Sequence, residues 1–491
     1  MKRNIMIQGT MSGAGKSLLV TALCRIFHQD GWSVAPFKSQ NMALNSFVTA
    51  DGREMGRAQV LQAQAAGKAP DVRMNPILLK PSSDVGSQVI VNGEVQGDYR
   101  ARDYFKMKRQ LIPDIMSAYH SLERENDIIV IEGAGSPAEI NLKADDIVNM
   151  GLAKLVDAPV LLVGDIDPGG VFAQLYGTVA LLEPEERRRI AGTIINKFRG
   201  DVSLLQSGLT MLEELTGVPV LGVVPYTRVE LDDEDSQAPR LQKTSGSGSI
   251  DIAVIRLPHI SNFTDFAPLE LHPEFSVRYV AREKELGHPD LVILPGTKNT
   301  MGDLCWLRGN GLEMAILRLH GVGVPVLGIC GGYQMLGEAL HDPDGVEHGG
   351  HMRGMGLLPT KTVFVPEKIR TQTTATACAF SDAAIWGYQI HMGRTETGDL
   401  PAFCRLPDGS GDGAVGDNVF GTYLHGLFDS GALTTALADW LLTRKGMDPS
   451  NRKLETHQDQ QEKQIDILAD AVRQSLDMDA IYRIMEEYQH E

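Results

Sequence analysis

Residues 4–27 read NIMIQGTMSGAGKSLLVTALCRIF, and this stretch decides the fold of the first half of the chain. An apolar run typical of a buried strand comes first, a glycine-rich loop ending in Gly15-Lys16-Ser17 follows, and a helical composition completes it. Glycines let backbone N–H groups curve around phosphate oxygens, and the helix adds the positive end of its dipole. The stretch therefore predicts a strand–loop–helix unit that binds the phosphates of a nucleotide.

Two side chains of this loop carry the expected chemistry. Lys16 supplies positive charge to the phosphates, and Ser17 offers a hydroxyl ligand to Mg²⁺. The strict motif requires glycine where Thr10 stands, so the loop has one extra residue after Gly9. The loop residues expected to bind ATP are Gly9, Thr10, Gly13, Gly15, Lys16 and Ser17.

The alternation of apolar and helical segments continues to residue 231. The apolar runs include WSVAPFK, DIIVIEGAG, PVLLVGDID, IAGTIINKF and VPVLGVVPY. Short apolar runs separated by helix-length segments predict buried parallel strands with covering helices. Residues 1–231 are therefore expected to form a doubly wound α/β domain of the P-loop type.

A second domain is expected after a linker. Residues 232–249 begin with an acidic cluster and end in Ser and Gly, a composition that cannot bury enough surface to pack. The runs IDIAVIRLP, DLVILPGTKNT, VPVLGICGGYQML and NVFGTYLHG then predict a second doubly wound α/β domain over residues 250–445. Residues 446–491 are expected to form a helical tail that packs on this second domain.

Acidic residues follow two strands of the first domain. Glu132 ends one run, and Asp165 and Asp167 end another. Ligands collect beyond the carboxyl ends of parallel strands, so these carboxylates could hold Mg²⁺ directly or through water. Glu132 and Asp165 are the candidate metal ligands, although each could instead cap a helix or lie in a solvated loop.

A cysteine lies on a predicted strand-to-helix turn in the second domain. Cys330 stands in LGICGGYQ, with small residues on both sides, as a sharply bent nucleophile turn requires. The Gly331 N–H is the expected oxyanion donor, and the start of the helix is expected to lower the pKa of the thiol. Gly296, in the loop after another strand, could supply a second N–H.

A thiol nucleophile also needs a base. His425 follows a strand-like stretch in FGTYLHG, and it is the expected partner of Cys330, near it in space rather than in sequence. His391, in YQIHMGR, is the alternative, with substrate contact or core packing as its other possible roles.

Length, composition and charge exclude several classes of protein. A chain of 491 residues suggests two or three domains, and 43% hydrophobic with 22% charged residues is typical of a soluble globular protein. The net charge of −17 disfavours nucleic-acid binding. Without a membrane-length apolar run or a signal-peptide pattern, we expect a cytoplasmic protein. The five cysteines are scattered and suggest neither disulfides nor a zinc site.

These motifs together resemble known families. The Cys330 turn and His425 resemble class I glutamine amidotransferases, while the phosphate loop, Lys38 and Glu132-Gly-Ala-Gly resemble the dethiobiotin synthetase group. Joined in this order, with PFKSQNMALNS at residues 36–46, the whole chain is similar to the cobyric acid synthase family of cobalamin biosynthesis.

The resemblance implies a substrate and a reaction. ATP and Mg²⁺ would phosphorylate the b, d, e and g carboxylates of a corrin diamide, and ammonia from glutamine would displace phosphate. By the same resemblance, Lys16 and Lys38 would stabilise phosphoryl charge, Ser17 and Glu132 would hold Mg²⁺, and Asn196 would contact adenine. Lys38 could instead be a surface residue.

One departure leaves rival functions open. Class I amidotransferases generally have a carboxylate two residues after the histidine, where this chain has Leu427, so a Cys-His dyad is expected and the group that orients His425 is unassigned. The rivals are the a,c-diamide synthase of the same pathway, a synthetase resembling CTP synthase, and a nucleotide-switched binding protein with a degenerate glutaminase. The sequence leaves the oligomeric state and the corrin-binding residues open.

Overall fold

A computed structural model describes residues 3–83, 86–231, 241, 248–449 and 456–488 of the chain. Most of the expected linker, residues 232–240 and 242–247, lies outside these described residues. The chain separates into two compact units. Unit 1 comprises Met1–Met42, Met55–Leu231 and Gln461–Glu491, and unit 2 comprises Ala43–Glu54 and Asp232–Gln460.

Strands and helices alternate through the first 231 residues, as the apolar runs predict. The strands are β1 (Arg3–Gly9), β2 (Val34–Phe37), β3 (Gln40–Met42), β4 (Ser46–Val48), β5 (Glu54–Gly56), β6 (Ile77–Ser83), β7 (Gly86–Val91), β8 (Glu94–Arg100), β9 (Ile128–Glu132), β10 (Val160–Asp165), β11 (Ile190–Phe198) and β12 (Val220–Pro225). The helices are α1 (Lys16–Gln29), α2 (Arg57–Ala65), α3 (Ala101–Met107), α4 (Ile112–Glu125), α5 (Met150–Leu155), α6 (Val171–Leu181), α7 (Pro184–Arg187) and α8 (Gln206–Thr216).

The rest of the described chain has more strand than the sequence predicts. Its strands are β13 (Ile250–Ile255), β14 (Phe275–Val280), β15 (Leu291–Leu294), β16 (Val326–Ile329), β17 (Ala339–Asp342), β18 (Gly350–Arg353), β19 (Lys361–Ala377), β20 (Ala384–Glu396), β21 (Cys404–Arg405), β22 (Gly411–Asp412), β23 (Ala414–Gly416), β24 (Val419–Thr422) and β25 (Leu424–His425). Its helices are α9 (Ala267–Glu270), α10 (Glu283–Leu286), α11 (Thr300–Gly309), α12 (Leu312–Gly321), α13 (Gly331–Leu336), α14 (Ala432–Arg444), α15 (His457–Ser475) and α16 (Met478–Glu487).

A parallel six-stranded sheet organises unit 1, in the order β12-β11-β10-β1-β9-β2. Both faces of β1 are covered, since Ile5 and Ile7 belong to one hydrophobic core and Met6 to another. Burial on both faces explains why the strands read as continuous apolar runs. Because β1 lies between β9 and β10, the carboxyl ends that carry the phosphate loop, Glu132 and Asp165 meet at one edge of the sheet.

Unit 2 contains a second, mostly parallel sheet, in the order β14-β13-β15-β16-β24-β23, in which only β23 is antiparallel to its neighbour. A further sheet in the same unit has the order β18-β17-β19-β20-β25. The carboxyl end of β16 leads into Cys330, and β25 ends on His425. The predicted α/β class, with one parallel-rich sheet in each of two units, is confirmed.

The expected position of the helical tail is wrong. Ile465, Leu468 and Val472 of α15 pack into the core of unit 1 that also contains Ile5 and Ile7, rather than on the second domain. The partner surface of the tail is far away along the chain, since Arg25, which pairs with Glu462, lies 437 residues before it.

No helix in the described part of the chain has both the length and the hydropathy needed to cross a bilayer.

Candidate functional site

Cys330 lies on the turn between β16 and α13 in a strained backbone conformation, with φ 51° and ψ −110°. Its backbone N–H donates to the Thr422 carbonyl at 2.8 Å, and its Sγ lies 3.7 Å from the Ile390 carbonyl oxygen. A Cβ on Gly332 would lie 2.0 Å from the Leu294 carbonyl oxygen, so no larger residue fits there. Close packing thus explains the small residues around the cysteine.

His425 is held by a carboxylate that sequence analysis did not identify. Its Nδ1 lies 2.6 Å from Oδ2 of Asp265, and the other oxygen of Asp265 accepts from the Gly426 N–H at 2.9 Å. His425 is 1% exposed and Asp265 is 3% exposed, so water does not screen the pair. Asp265 therefore occupies the orienting role that Leu427 cannot fill.

Charge and hydrogen bonding control the protonation of His425. Burial alone would lower its pKa, but the charge of Asp265, the hydrogen bond to it and the Cys330 side chain raise that pKa well above the ordinary value of 6.5. A raised pKa favours an imidazolium beside the cysteine.

The loops around the cysteine bring both expected oxyanion donors to the site. A Cβ on Gly296 would lie 3.0 Å from Cε1 of His425, and a Cβ on Gly331 would lie 3.2 Å from the backbone nitrogen of Thr297. Gly296 and Gly331 are thus on adjacent loops beside the thiol–imidazole pair.

His391, the alternative base, is held differently. Its Nδ1 donates to the Gly393 carbonyl oxygen at 2.7 Å, and its ring stacks on Tyr423 with centroids 3.7 Å apart. Burial lowers the pKa of His391 to about 4, so the ring is neutral near pH 7. These contacts favour a packing role for His391.

Little in the sequence indicates that Asp265 contacts the histidine. It lies in the short 3₁₀ helix Phe263–Phe266 beyond the carboxyl end of β13, 160 residues before His425. Ligands and catalytic groups often lie beyond the carboxyl ends of parallel strands, and this loop could have been selected as a candidate on that ground. Nothing in the neighbouring residues distinguishes Asp265 from a helix-capping aspartate.

In unit 1 the glycine-rich loop has the backbone shape that phosphate binding requires. Gly13 and Gly15 have φ values of 76° and 94°, in the left-handed region. The ammonium of Lys16 donates to the carbonyl oxygens of Met11 and Gly135, both at 3.1 Å. Phosphate oxygens are hydrogen-bond acceptors of the same kind as these carbonyl oxygens.

The first two loop residues have supporting contacts. The backbone N–H of Thr10 donates to the Val163 carbonyl at 2.9 Å, and its hydroxyl lies 3.1 Å from the Gln174 amide oxygen. A Cβ on Gly9 would lie 3.0 Å from Nζ of Lys16. The absence of a side chain at Gly9 thus leaves room for the lysine.

Glu132 is the centre of a buried polar cluster at the sheet edge. Its Oε1 accepts from the hydroxyl of Ser17 at 2.8 Å and from Nζ of Lys38 at 2.9 Å. Its Oε2 accepts from the side-chain amide of Gln62, which sequence analysis did not identify. Lys38 is therefore buried in an ion pair, and the surface alternative for it is wrong.

Asp165 and Asn196 lie on the other side of the loop. Asp165 forms an ion pair with Lys197 at 2.7 Å, and Lys197 also donates to the Gly13 carbonyl. The Asn196 side-chain amide donates to the Ala14 carbonyl at 2.9 Å. Asn196 therefore supports the phosphate loop directly, and Asp165 supports it through Lys197. Asp167 pairs with Arg199 in a more exposed position.

Among the described residues, no three His, Cys, Asp or Glu side chains cluster as a ready-made metal site. A magnesium ion in a nucleotide site takes few protein ligands, because phosphate oxygens and water complete its shell. Ser17 and Glu132, in direct contact, fit that requirement.

Two family models match the chain. A CobQ/CobB/MinD/ParA nucleotide binding domain matches residues 5–238, and a CobB/CobQ-like glutamine amidotransferase domain matches residues 251–433. These matches cover both halves that contain the clusters described above.

Full-length relatives also match. The cobyric acid synthase of Ruminiclostridium cellulolyticum is 57% identical over 99% of this chain and 98% of its own length. That of Lachnoclostridium phytofermentans is 57% identical over 99% of this chain and 100% of its own, and that of Streptococcus sanguinis is 54% identical over 99% of both.

Proposed function

This chain belongs to the cobyric acid synthase family, and from that premise we propose that it amidates the b, d, e and g side-chain carboxylates of cobyrinic acid a,c-diamide. The protein is a glutamine-dependent amide synthase, a carbon–nitrogen ligase, and it uses ATP. The observation that carries the substrate proposal is the similarity of the whole chain to these synthases, with both functional clusters present in one polypeptide.

Ammonia would come from the glutaminase half. The Cys330 thiolate attacks the amide carbon of the glutamine side chain, the His425 imidazolium gives its proton to the departing nitrogen, and a glutamyl thioester forms. Asp265 holds His425 in the orientation and tautomer that this transfer needs. The Gly331 and Gly296 N–H groups would stabilise the oxyanion, and water then releases glutamate and regenerates the thiol.

The carboxylate would be activated in the nucleotide-binding half. The γ-phosphoryl group of ATP passes to a corrin carboxylate, giving an acyl phosphate and ADP, and ammonia then displaces phosphate to form the amide. Lys16 and Lys38 would stabilise the charge of the transferring phosphoryl group. Asn196 would support the loop on the adenine side.

Magnesium would be held by Ser17 and Glu132, with Asp165 as a further candidate ligand. Such an ion neutralises charge on the phosphate oxygens. Lys38 pairs with the same Glu132 oxygen that accepts from Ser17, so the ion would compete with the ammonium for this carboxylate.

We place the reaction in the cytoplasm. All five cysteines are free thiols, in keeping with a reducing compartment.

The test is incubation of the purified protein with ATP, Mg²⁺, glutamine and the a,c-diamide, followed by mass spectrometry of the corrin. Stepwise addition of amides at the b, d, e and g positions is the expected result. Amidation of cobyrinic acid at a and c instead would identify the diamide synthase. ATP hydrolysis without any new amide would support a nucleotide-switched binding protein.

A further inference from the structure

A short segment of the PFKSQNMALNS region belongs to the glutaminase unit. The chain leaves unit 1 after Met42, contributes Ala43–Glu54 to unit 2, and returns to unit 1 at Met55. We call Ala43–Glu54 the arm. None of the catalytic roles described above explains it.

The arm contacts the turn that carries Asp265. Asn45 accepts a hydrogen bond on Oδ1 from the Phe263 N–H at 3.2 Å, and the Ser46 N–H donates to Oδ1 of Asn262 at 3.1 Å. Asn262 has φ 51° and ψ 37°, a left-handed conformation at the start of the 3₁₀ helix that contains Asp265. Two hydrogen bonds from the arm thus support the strained start of this helix.

The arm also contacts the aromatic ring beside His425. The Tyr388 hydroxyl donates to the Ser46 carbonyl at 3.0 Å, and the Phe47 ring lies 5.3 Å from the Tyr388 ring. Tyr388 in turn stacks on the His425 imidazole, with centroids 5.5 Å apart and planes inclined by 26°. The arm therefore supports His425 from a second side.

The arm is anchored at its far end by buried polar contacts. Lys368 pairs with Glu54 at 2.6 Å, with the lysine 9% and the glutamate 0% exposed. The Val48 carbonyl oxygen accepts from the side-chain amide of Gln372 at 2.7 Å. Within the arm, the Thr49 N–H donates to the carbonyl oxygen of Arg53 at 2.8 Å. Breaking a buried ion pair is costly, so these contacts hold the arm in one position.

We propose that the arm is a positioning element of the glutaminase site, holding Asp265 and Tyr388 so that His425 is aligned with Cys330. The inference rests on the proposed role of Cys330 and His425 in glutamine hydrolysis. It means that the glutaminase half is completed by a segment that lies, in sequence, within the ATP-binding half. A displacement of about 1 Å at a catalytic group is enough to cost about 100-fold in rate.

The test uses Tyr388→Phe and Asn45→Ala in the full-length protein. Tyr388→Phe removes the hydroxyl that holds Ser46 and keeps the ring on His425, while Asn45→Ala removes the acceptor for the Phe263 N–H. Tyr119→Phe is the matched control. Tyr119 lies in unit 1 and is as buried as Tyr388, and the substitution removes the hydrogen bond that its hydroxyl accepts from the Asn4 side-chain amide.

Both test variants are expected to lower kcat/KM for glutamine about ten-fold, while ammonia-dependent synthesis stays within about two-fold of the starting protein. The pH dependence of Cys330 alkylation should also change, since a misaligned Asp265 raises the pKa of the neighbouring His425 less. Tyr119→Phe should change neither measurement.

The outcomes separate this inference from the proposed function. Wild-type kinetics and an unchanged alkylation profile in both arm variants would refute the positioning role. Equal losses of glutamine- and ammonia-dependent synthesis would also refute it, because they indicate a general structural defect. If Cys330→Ala still hydrolyses glutamine in the same assay, the proposed function itself is wrong, whatever the arm variants do.

Discussion

The Nδ1 atom of His425 lies 2.6 Å from the Oδ2 atom of Asp265, and both side chains are buried. The chain therefore has a Cys-His-Asp arrangement, although it lacks the carboxylate two residues after the histidine. Because the aspartate approaches from a different loop, the missing neighbour at Leu427 does not leave the imidazole without an orienting group.

Asp265→Asn keeps the shape of the side chain and removes its charge. The carboxylate raises the pKa of His425, so its loss should lower that pKa and favour a neutral imidazole at pH 7. Glutamine-dependent synthesis should fall by about 10³-fold. Ammonia-dependent synthesis should be retained.

Asp251→Asn is the matched control for this change. This substitution removes one negative charge from the same unit. It thereby weakens the ion pair between Asp251 and Arg278, whose Nε lies 2.8 Å from Oδ1 of Asp251. If the two variants lose the same small fraction of glutaminase activity, Asp265 has no special relation to His425.

Cys330→Ala and His425→Ala should each abolish synthesis from glutamine. The amination reaction needs only ammonia, so high ammonium at alkaline pH should restore product in both variants. Product formation is measured by mass spectrometry of the corrin. Normal glutamine-dependent synthesis by Cys330→Ala would contradict the nucleophile assignment.

Lys16→Ala should abolish synthesis with glutamine and with ammonia alike. The ammonium at this position donates to acceptors that phosphate oxygens resemble, and both nitrogen sources need the phosphorylated carboxylate. Glutaminase activity should remain measurable as glutamate release. Unimpaired ammonia-dependent synthesis would remove the phosphate-loop assignment.

Glu132→Gln should lower Mg²⁺-dependent synthesis by about 10²-fold and leave glutamine hydrolysis possible. The substitution keeps the size of the side chain, but it removes the charge that pairs with Lys38 and the anionic acceptor of the Ser17 hydroxyl. A titration of activity against Mg²⁺ concentration is the measurement.

Glu125→Gln serves as its control, since Glu125 forms only an exposed ion pair with Arg73. An unchanged magnesium titration in Glu132→Gln would move the metal role to Asp165 or Asp167.

Local motifs were sufficient for much of the site prediction. The phosphate loop, the Cys330 turn and the strand-end Glu132 each depend on residues that are adjacent in sequence, because backbone bending, small neighbours and strand ends are local properties. The α/β class followed from apolar runs, since strands buried on both faces have few polar residues. The family could be inferred from the order of these motifs.

Other features depend on packing between distant parts of the chain. Asp265 reaches His425 across 160 residues, the arm joins the glutaminase unit, Gln62 approaches Glu132, and the tail packs beside β1. The residues next to an aspartate, a glutamine or an apolar helix face carry no information about where in the chain its partner lies. No pattern in neighbouring residues therefore specifies these contacts. They form because the folded chain places complementary charges and apolar surfaces at contact distance, where burial strengthens the electrostatic interactions. The sequence thus determined the fold class and identified the candidate nucleophile and the candidate phosphate site. Tertiary packing determined what contacts His425 and which unit holds the arm and the tail.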